Sequence, residues 1–215
     1  MTNFPWESVL LGAVAAVAGF GILALNSFWS PAVRRRGKTA HWLVGFGVNG
    51  LGMSLIGAGW LWLALLPPKV DWTPLPWIGF AAAAAGTGLY LASAARVGRL
   101  RTLSEYSNDL CLSGLYSIVR HPQALALSLM GVGLGGFSQS LHYLVLLPLW
   151  VAAWYLYSWL EETLELVPVF GERYREYSRV TPRMFPSPEA LADWILDRVT
   201  LFRRVPASTR SSRRT

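Results

Sequence analysis

Residues 122–160 read PQALALSLMGVGLGGFSQSLHYLVLLPLWVAAWYLYSWL, and they decide the architecture. Two apolar runs, 123–137 and 141–160, are parted only by a short polar turn, 138–140. A membrane-crossing helix needs about 20 mostly apolar residues. The second run meets that length and the first falls short of it. So tight a turn predicts a two-helix hairpin whose first helix starts at Pro122, a residue suited to the first helical turn because the backbone N–H it lacks has no partner there. Pro148 marks a bend in the second helix.

Working outward, residues 8–29, 41–66 and 74–95 are three further apolar runs of spanning length. Asn26 is the only strongly polar residue inside the first. The second carries Gly45, Gly47, Gly50, Gly52, Gly57 and Gly59, which suit close helix contact. The fold expected is all-α: a polytopic membrane protein of about five transmembrane helices, with no cleaved leader. Composition agrees, since 53% of residues are hydrophobic and 14% charged, against about 25% charged in soluble domains.

The net charge of +7 follows membrane topology. With five crossings, 18 of the 19 basic residues fall on one side, Lys69 being the exception. That asymmetry predicts an outside N-terminus and a cytoplasmic C-terminus in a multi-pass protein of the cytoplasmic membrane. It argues against a nucleic-acid partner, and the near absence of ionisable residues in the first three spans argues against an ion path. Cys111 stands alone, so it forms neither an internal disulfide nor a thiolate metal cluster, and no metal is expected. Three parts are expected: three transmembrane helices in 1–95; a loop, the hairpin and a cytoplasmic segment in 96–186; and 187–215, comprising a surface amphipathic helix over 188–204 and a basic, lipid-attracted tail.

Polar clusters border the hairpin on the expected cytoplasmic face. They are Gly114 to Pro122, with Tyr116, Arg120 and His121; Glu161 and Glu162; and 170–186, with Phe170, Gly171, Tyr174, Tyr177, Pro182, Arg183 and Pro186. A hairpin brings the start of its first helix beside the end of its second, so His121 and Glu162 should be neighbours. Ionisable groups at membrane depth are costly and are usually kept for function.

The order and spacing of these clusters resemble the membrane methyltransferases typified by isoprenylcysteine carboxyl methyltransferase and the phospholipid N-methyltransferases. The shared pattern is Gly-x-Tyr-x-x-x-Arg-His-Pro, an apolar hairpin, Glu-Glu, Phe-Gly-x-x-Tyr-x-x-Tyr and Pro-Arg-x-x-Pro, over about residues 96–186 here. The resemblance implies S-adenosylmethionine as cofactor, with Leu110, Gly114, Tyr116, His121, Pro122 and one glutamate of the pair in contact with it, Glu162 first and Glu161 as second choice. Tyr174, Tyr177 and Arg183 complete the expected cofactor site. Glu162, His121 and Arg120 are the expected catalytic residues, with Glu162 and His121 as candidate bases. The acceptor implied is a membrane lipid or another hydrophobic molecule. Two departures stand out: Ala124 replaces the usual Tyr and leaves room in the pocket, and Ser158 replaces an arginine that serves prenylcysteine substrates. The competing readings are an NADPH-dependent sterol-type membrane reductase and a non-catalytic scaffold of the same fold. Self-association through the glycine-rich second helix is open.

Overall fold

A computed structural model describes residues 6–34, 38–103, 110–192, 194 and 196, with side chains outside 30–46 and 98–109. Five long helices follow one another: α1 (Trp6–Arg34), α2 (Lys38–Leu65), α3 (Leu75–Leu103), α4 (Pro122–Ser138) and α5 (Leu141–Glu161). A π-helical turn (Glu162–Leu166) continues α5 into the short α6 (Val167–Phe170), and α7 (Glu172–Val180) lies beyond Gly171. Among the described residues the structure is all-helical, with no strand. Four helices are long and apolar enough to cross a membrane: Trp6–Trp29, Gly47–Leu65, Leu75–Val97 and Leu141–Phe170. The protein is accordingly a membrane protein. Its outer faces agree, because Val17, Trp77, Phe80, Val145 and Leu149 are all more than 60% exposed, a surface that water would not tolerate.

The helices exceed the expected spans. α1 continues to Arg34 and α2 begins at Lys38, so the loop expected over 30–40 shrinks to residues outside the described set. α4 has 17 residues, about 25 Å of helix at 1.5 Å per residue. α5 runs on through Pro148. Of the expected amphipathic helix, residues 188–192 are helical; most of the remainder, and the whole basic tail, lie outside the described residues.

Backbone-to-backbone contact builds two antiparallel pairs. In α1/α2, a methyl group on Gly19 would fall 2.5 Å from the Gly52 carbonyl oxygen, and Gly12 meets Gly59 in the same way. In α3/α4, a methyl group on Gly133 would fall 2.5 Å from the Ala83 nitrogen. Small residues at such contacts let dispersion act where lipid removes the hydrophobic drive. Only Gly52 and Gly59 of the glycines expected to mediate contact in α2 do so within the fold. Gly47, Gly50 and Gly57 face open space, and Gly45 lies outside the described side chains.

α5 packs between these pairs. Its Tyr143, Trp150 and Trp154 form edge-to-face ring contacts with Trp60 of α2 and Phe20 of α1 at centroid distances of 4.8–6.4 Å. At one end of the bundle the α4–α5 turn is tied to the α2–α3 loop. Val70 N–H donates to the Gln139 carbonyl (2.8 Å), Leu141 N–H to that of Pro68 (3.0 Å), and Ser140 Oγ–H to Leu63 and Leu66. α4 begins at the opposite end of the hairpin, with His121, and packs antiparallel along α3.

Gly133→Val should therefore cost about 1–3 kcal/mol through overpacking. Gly88→Val, where a new side chain meets nothing, should cost far less. Thermal unfolding of the two variants in detergent checks this ordering.

Candidate functional site

His121 occupies the N-cap of α4, fixed by Pro122 at the first helical position and by two consecutive backbone hydrogen bonds. Arg120 N–H donates to the Pro182 carbonyl and His121 N–H to that of Arg183, both at 2.9 Å. The segment after α7 is thereby clasped to the head of the hairpin. The same clasp brings Arg183 over the end of α5, where the chain widens into the π-helical turn beginning at Glu162. Such turns insert one extra residue and recur at functional sites.

Glu162 is the hub. Its side chain is 7% exposed, yet it meets three cationic groups. Oε1 lies 2.9 Å from His121 Nε2 and 3.3 Å from Arg120 Nη1. Oε2 accepts from Arg183 Nε (3.1 Å) and Nη2 (3.0 Å). The other imidazole nitrogen of His121, Nδ1, lies 3.2 Å from Oε2 of Glu161, so the two adjacent glutamates grip one ring from both sides. Burying a carboxylate is costly unless its charge and lone pairs are both met, and here they are.

The His121 imidazole titrates above its ordinary 6.5. Burial pulls it down, but the contacts with Glu161 and Glu162 push it up by more. Both ring nitrogens of His121 face carboxylate oxygens, and both Glu162 oxygens face cations, an arrangement suited to holding the charged ends of a ligand.

The tyrosines complete the wall. Tyr174 is 2% exposed and packs edge-to-face on Tyr177 at 5.9 Å. Tyr177 donates its hydroxyl to the Tyr116 carbonyl, which joins α7 to the 3-10 turn Gly114–Ser117. Burial, then the negative charge of Glu162, pushes the Tyr174 phenol up; Tyr177 is also pushed up, chiefly by burial. Both stay neutral at pH 7. Gly114 takes φ of +71°, a left-handed conformation that glycine accepts without strain, and the Arg96 guanidinium lies against its backbone. Arg96 also donates to Ser113 Oγ at 3.3 Å.

Arg120, His121, Glu161, Glu162 and Arg183 thus meet directly, with Tyr174 and Tyr177 beside them and Tyr177 tied to the Tyr116 backbone. Pro122 fixes the helix start, while half-buried Leu110 lies on the segment leading to Gly114. Two groups went unnoticed in the sequence. Tyr155 lies 5.2 Å beneath the Arg183 guanidinium, and Phe185 stacks on Tyr155 at 6.4 Å. Their only sequence signal was spacing: Tyr155 is two helical turns before Glu162, and Phe185 is two residues after Arg183. The room expected beside Ala124 is closed, since that residue is buried within the apolar core. Ser158 is fully buried and donates to the Tyr155 carbonyl at 2.7 Å. Comparison with protein-family models, curated proteins and solved structures finds no match for this chain.

Because the folded His121 value lies above the unfolded one, its stabilising contribution is complete below about pH 6.5 and is lost as pH rises through the folded value. Melting temperature should fall over that upper range, and His121→Asn should flatten the fall. Glu162→Ala, which strands buried Arg120, should cost about 3–5 kcal/mol, and Glu162→Gln less. Thermal unfolding as a function of pH reads both.

Proposed function

We propose that this chain is a membrane-embedded methyltransferase that takes S-adenosylmethionine from the cytoplasm and an apolar acceptor from the bilayer. The observation that carries the reading is the convergence of three separated motifs on one carboxylate. His121 and Glu162 are 41 residues apart and 2.9 Å from one another, and Arg183 closes the same oxygen pair. These are the residues that the family pattern marks.

The donor set fits the cofactor. Its amino-acid end carries an ammonium and a carboxylate. The ammonium would replace one of the three cations on Glu162 or join the more exposed Glu161, and Arg120 would receive the carboxylate. Arg120 Nε is buried with no hydrogen-bond partner among the described residues, so the guanidinium has a donor to spare. Tyr116 is half-buried and offers a more accessible ring than Tyr174 for the adenine or the sulfonium. The bound cofactor supplies a methyl group activated on positively charged sulfur. The chain orients the ligand by ion pairs and, with Tyr174, Tyr177 and the hairpin, keeps water away. With Glu162 and His121 committed to ion pairing, an acceptor that attacks without first losing a proton to them suits this site best. Ser158 leaves no arginine at that position to hold a prenylcysteine carboxylate.

We also infer five crossings, because α4 reaches from the His121 end to the end that carries the α2–α3 loop. The charge distribution then favours a cytoplasmic site and a cytoplasmic C-terminus.

Calorimetric titration of the purified protein tests the class. S-adenosylmethionine and S-adenosylhomocysteine should bind saturably and NADPH should not. His121→Ala and Glu162→Gln should weaken binding at least about tenfold, equivalent to 1.4 kcal/mol, and Glu7→Ala should leave it unchanged. NADPH binding alone would point to the reductase. Binding of none of these ligands by folded protein would point to the scaffold.

A further inference from the structure

The two glycine-packed pairs draw α2 towards α1 and α4 towards α3, and they leave a space between them. That space is an apolar cavity of about 530 Å³, bounded by α2, α3, α4 and α5. Its floor is Ile56, Trp60, Tyr143 and Trp150, all at most 7% exposed. Its mouth is formed by Phe80 and Phe137, 63% and 65% exposed, with Gly57 on the facing helix.

The lining offers little to water. The Tyr143 hydroxyl donates to the Gly131 carbonyl at 2.9 Å, and Trp150 Nε1–H donates to that of Leu127 at 3.1 Å. Trp60 Nε1 is buried within the ring stack. A buried water needs two to four polar partners, and these walls do not supply them. An empty space of this size would forfeit dispersion contacts on every side.

Position identifies the occupant. The walls belong to the apolar spans Gly47–Leu65, Leu75–Val97 and Leu141–Phe170, so the medium at the mouth is hydrocarbon. Along α4 the groove runs from Leu127 to Phe137, about 15 Å at 1.5 Å per residue. That is half of the roughly 30 Å hydrocarbon core, the depth occupied by chains of one leaflet. The groove ends beside the α4–α5 turn, at the opposite end of the bundle from His121 and Glu162. We propose that it binds one acyl chain of a phospholipid from the leaflet facing that turn, as a site separate from the polar hub.

The test is photolabelling of the full chain in phosphatidylcholine vesicles doped with a phosphatidylcholine carrying a diazirine at mid-chain. Adducts should concentrate on peptides holding Met53 and Met130, which line the groove. A side chain at Gly57 starts in open space and fills the groove, so Gly57→Phe should abolish those adducts and leave labelling of outward Leu10 and Val14 on α1 intact. Gly47→Phe, also starting in open space but away from the groove, should change nothing. Even labelling of all outward faces, or unchanged Met53 and Met130 adducts in Gly57→Phe, would reduce the groove to ordinary boundary lipid and overturn the proposal. Absence of lipid adducts at Met53 and Met130, together with cross-links between copies when a photoreactive methionine analogue replaces those methionines, would overturn it in favour of a second copy.

Discussion

A carboxylate buried beside apolar helices must find positive partners, and Glu162 finds three from two distant parts of the chain. Arg120 and His121 come from the head of α4 and Arg183 from the segment beyond α7. No one of these charges would be tolerated there alone. Their mutual need holds the hairpin and the C-terminal segment together, and the backbone bonds of Arg120 and His121 to 182–183 set the register in which they meet. The π-helical turn starts at Glu162, and there two adjacent glutamates address opposite nitrogens of one ring.

The apolar part of the molecule serves that meeting. Glycine contacts bring α3 and α4 close enough for their backbones to touch, and they fix where α4 begins. The aromatic rings of α5 wedge it between the two helix pairs, so its end reaches the level of His121. The same arrangement leaves the lipid-facing groove, because helices drawn tightly into pairs cannot also close the space between the pairs.

Much of this was legible in the residues. Apolar runs gave all five helices, and the tight turn at 138–140 gave the adjacency of His121 and Glu162 across 41 residues. Other features left no readable trace. Glycine content marks a helix for close contact but not which face makes it, so Gly52 and Gly59 could not be told from Gly47, Gly50 and Gly57. A π turn is a change of one residue in winding, with no composition of its own. The pairing of Arg183 with Glu162 depends on the backbone clasp, which is a tertiary contact. Ala124 suggested space because a smaller residue stands where a larger one is usual, but it is buried in the apolar core.

We propose that the hub formed by 110–122, 161–162 and 172–186 receives an adenosyl ligand. Hydrogen–deuterium exchange in nanodiscs, with and without S-adenosylhomocysteine, tests the place and the ligand together. Binding at the hub predicts slower exchange confined to peptides of the 110–122 loop, the π-helical turn and α7 with its following segment, and no change in α1 and α2. Unaltered exchange throughout those peptides at saturating ligand, or protection confined to α1 and α2, would contradict it.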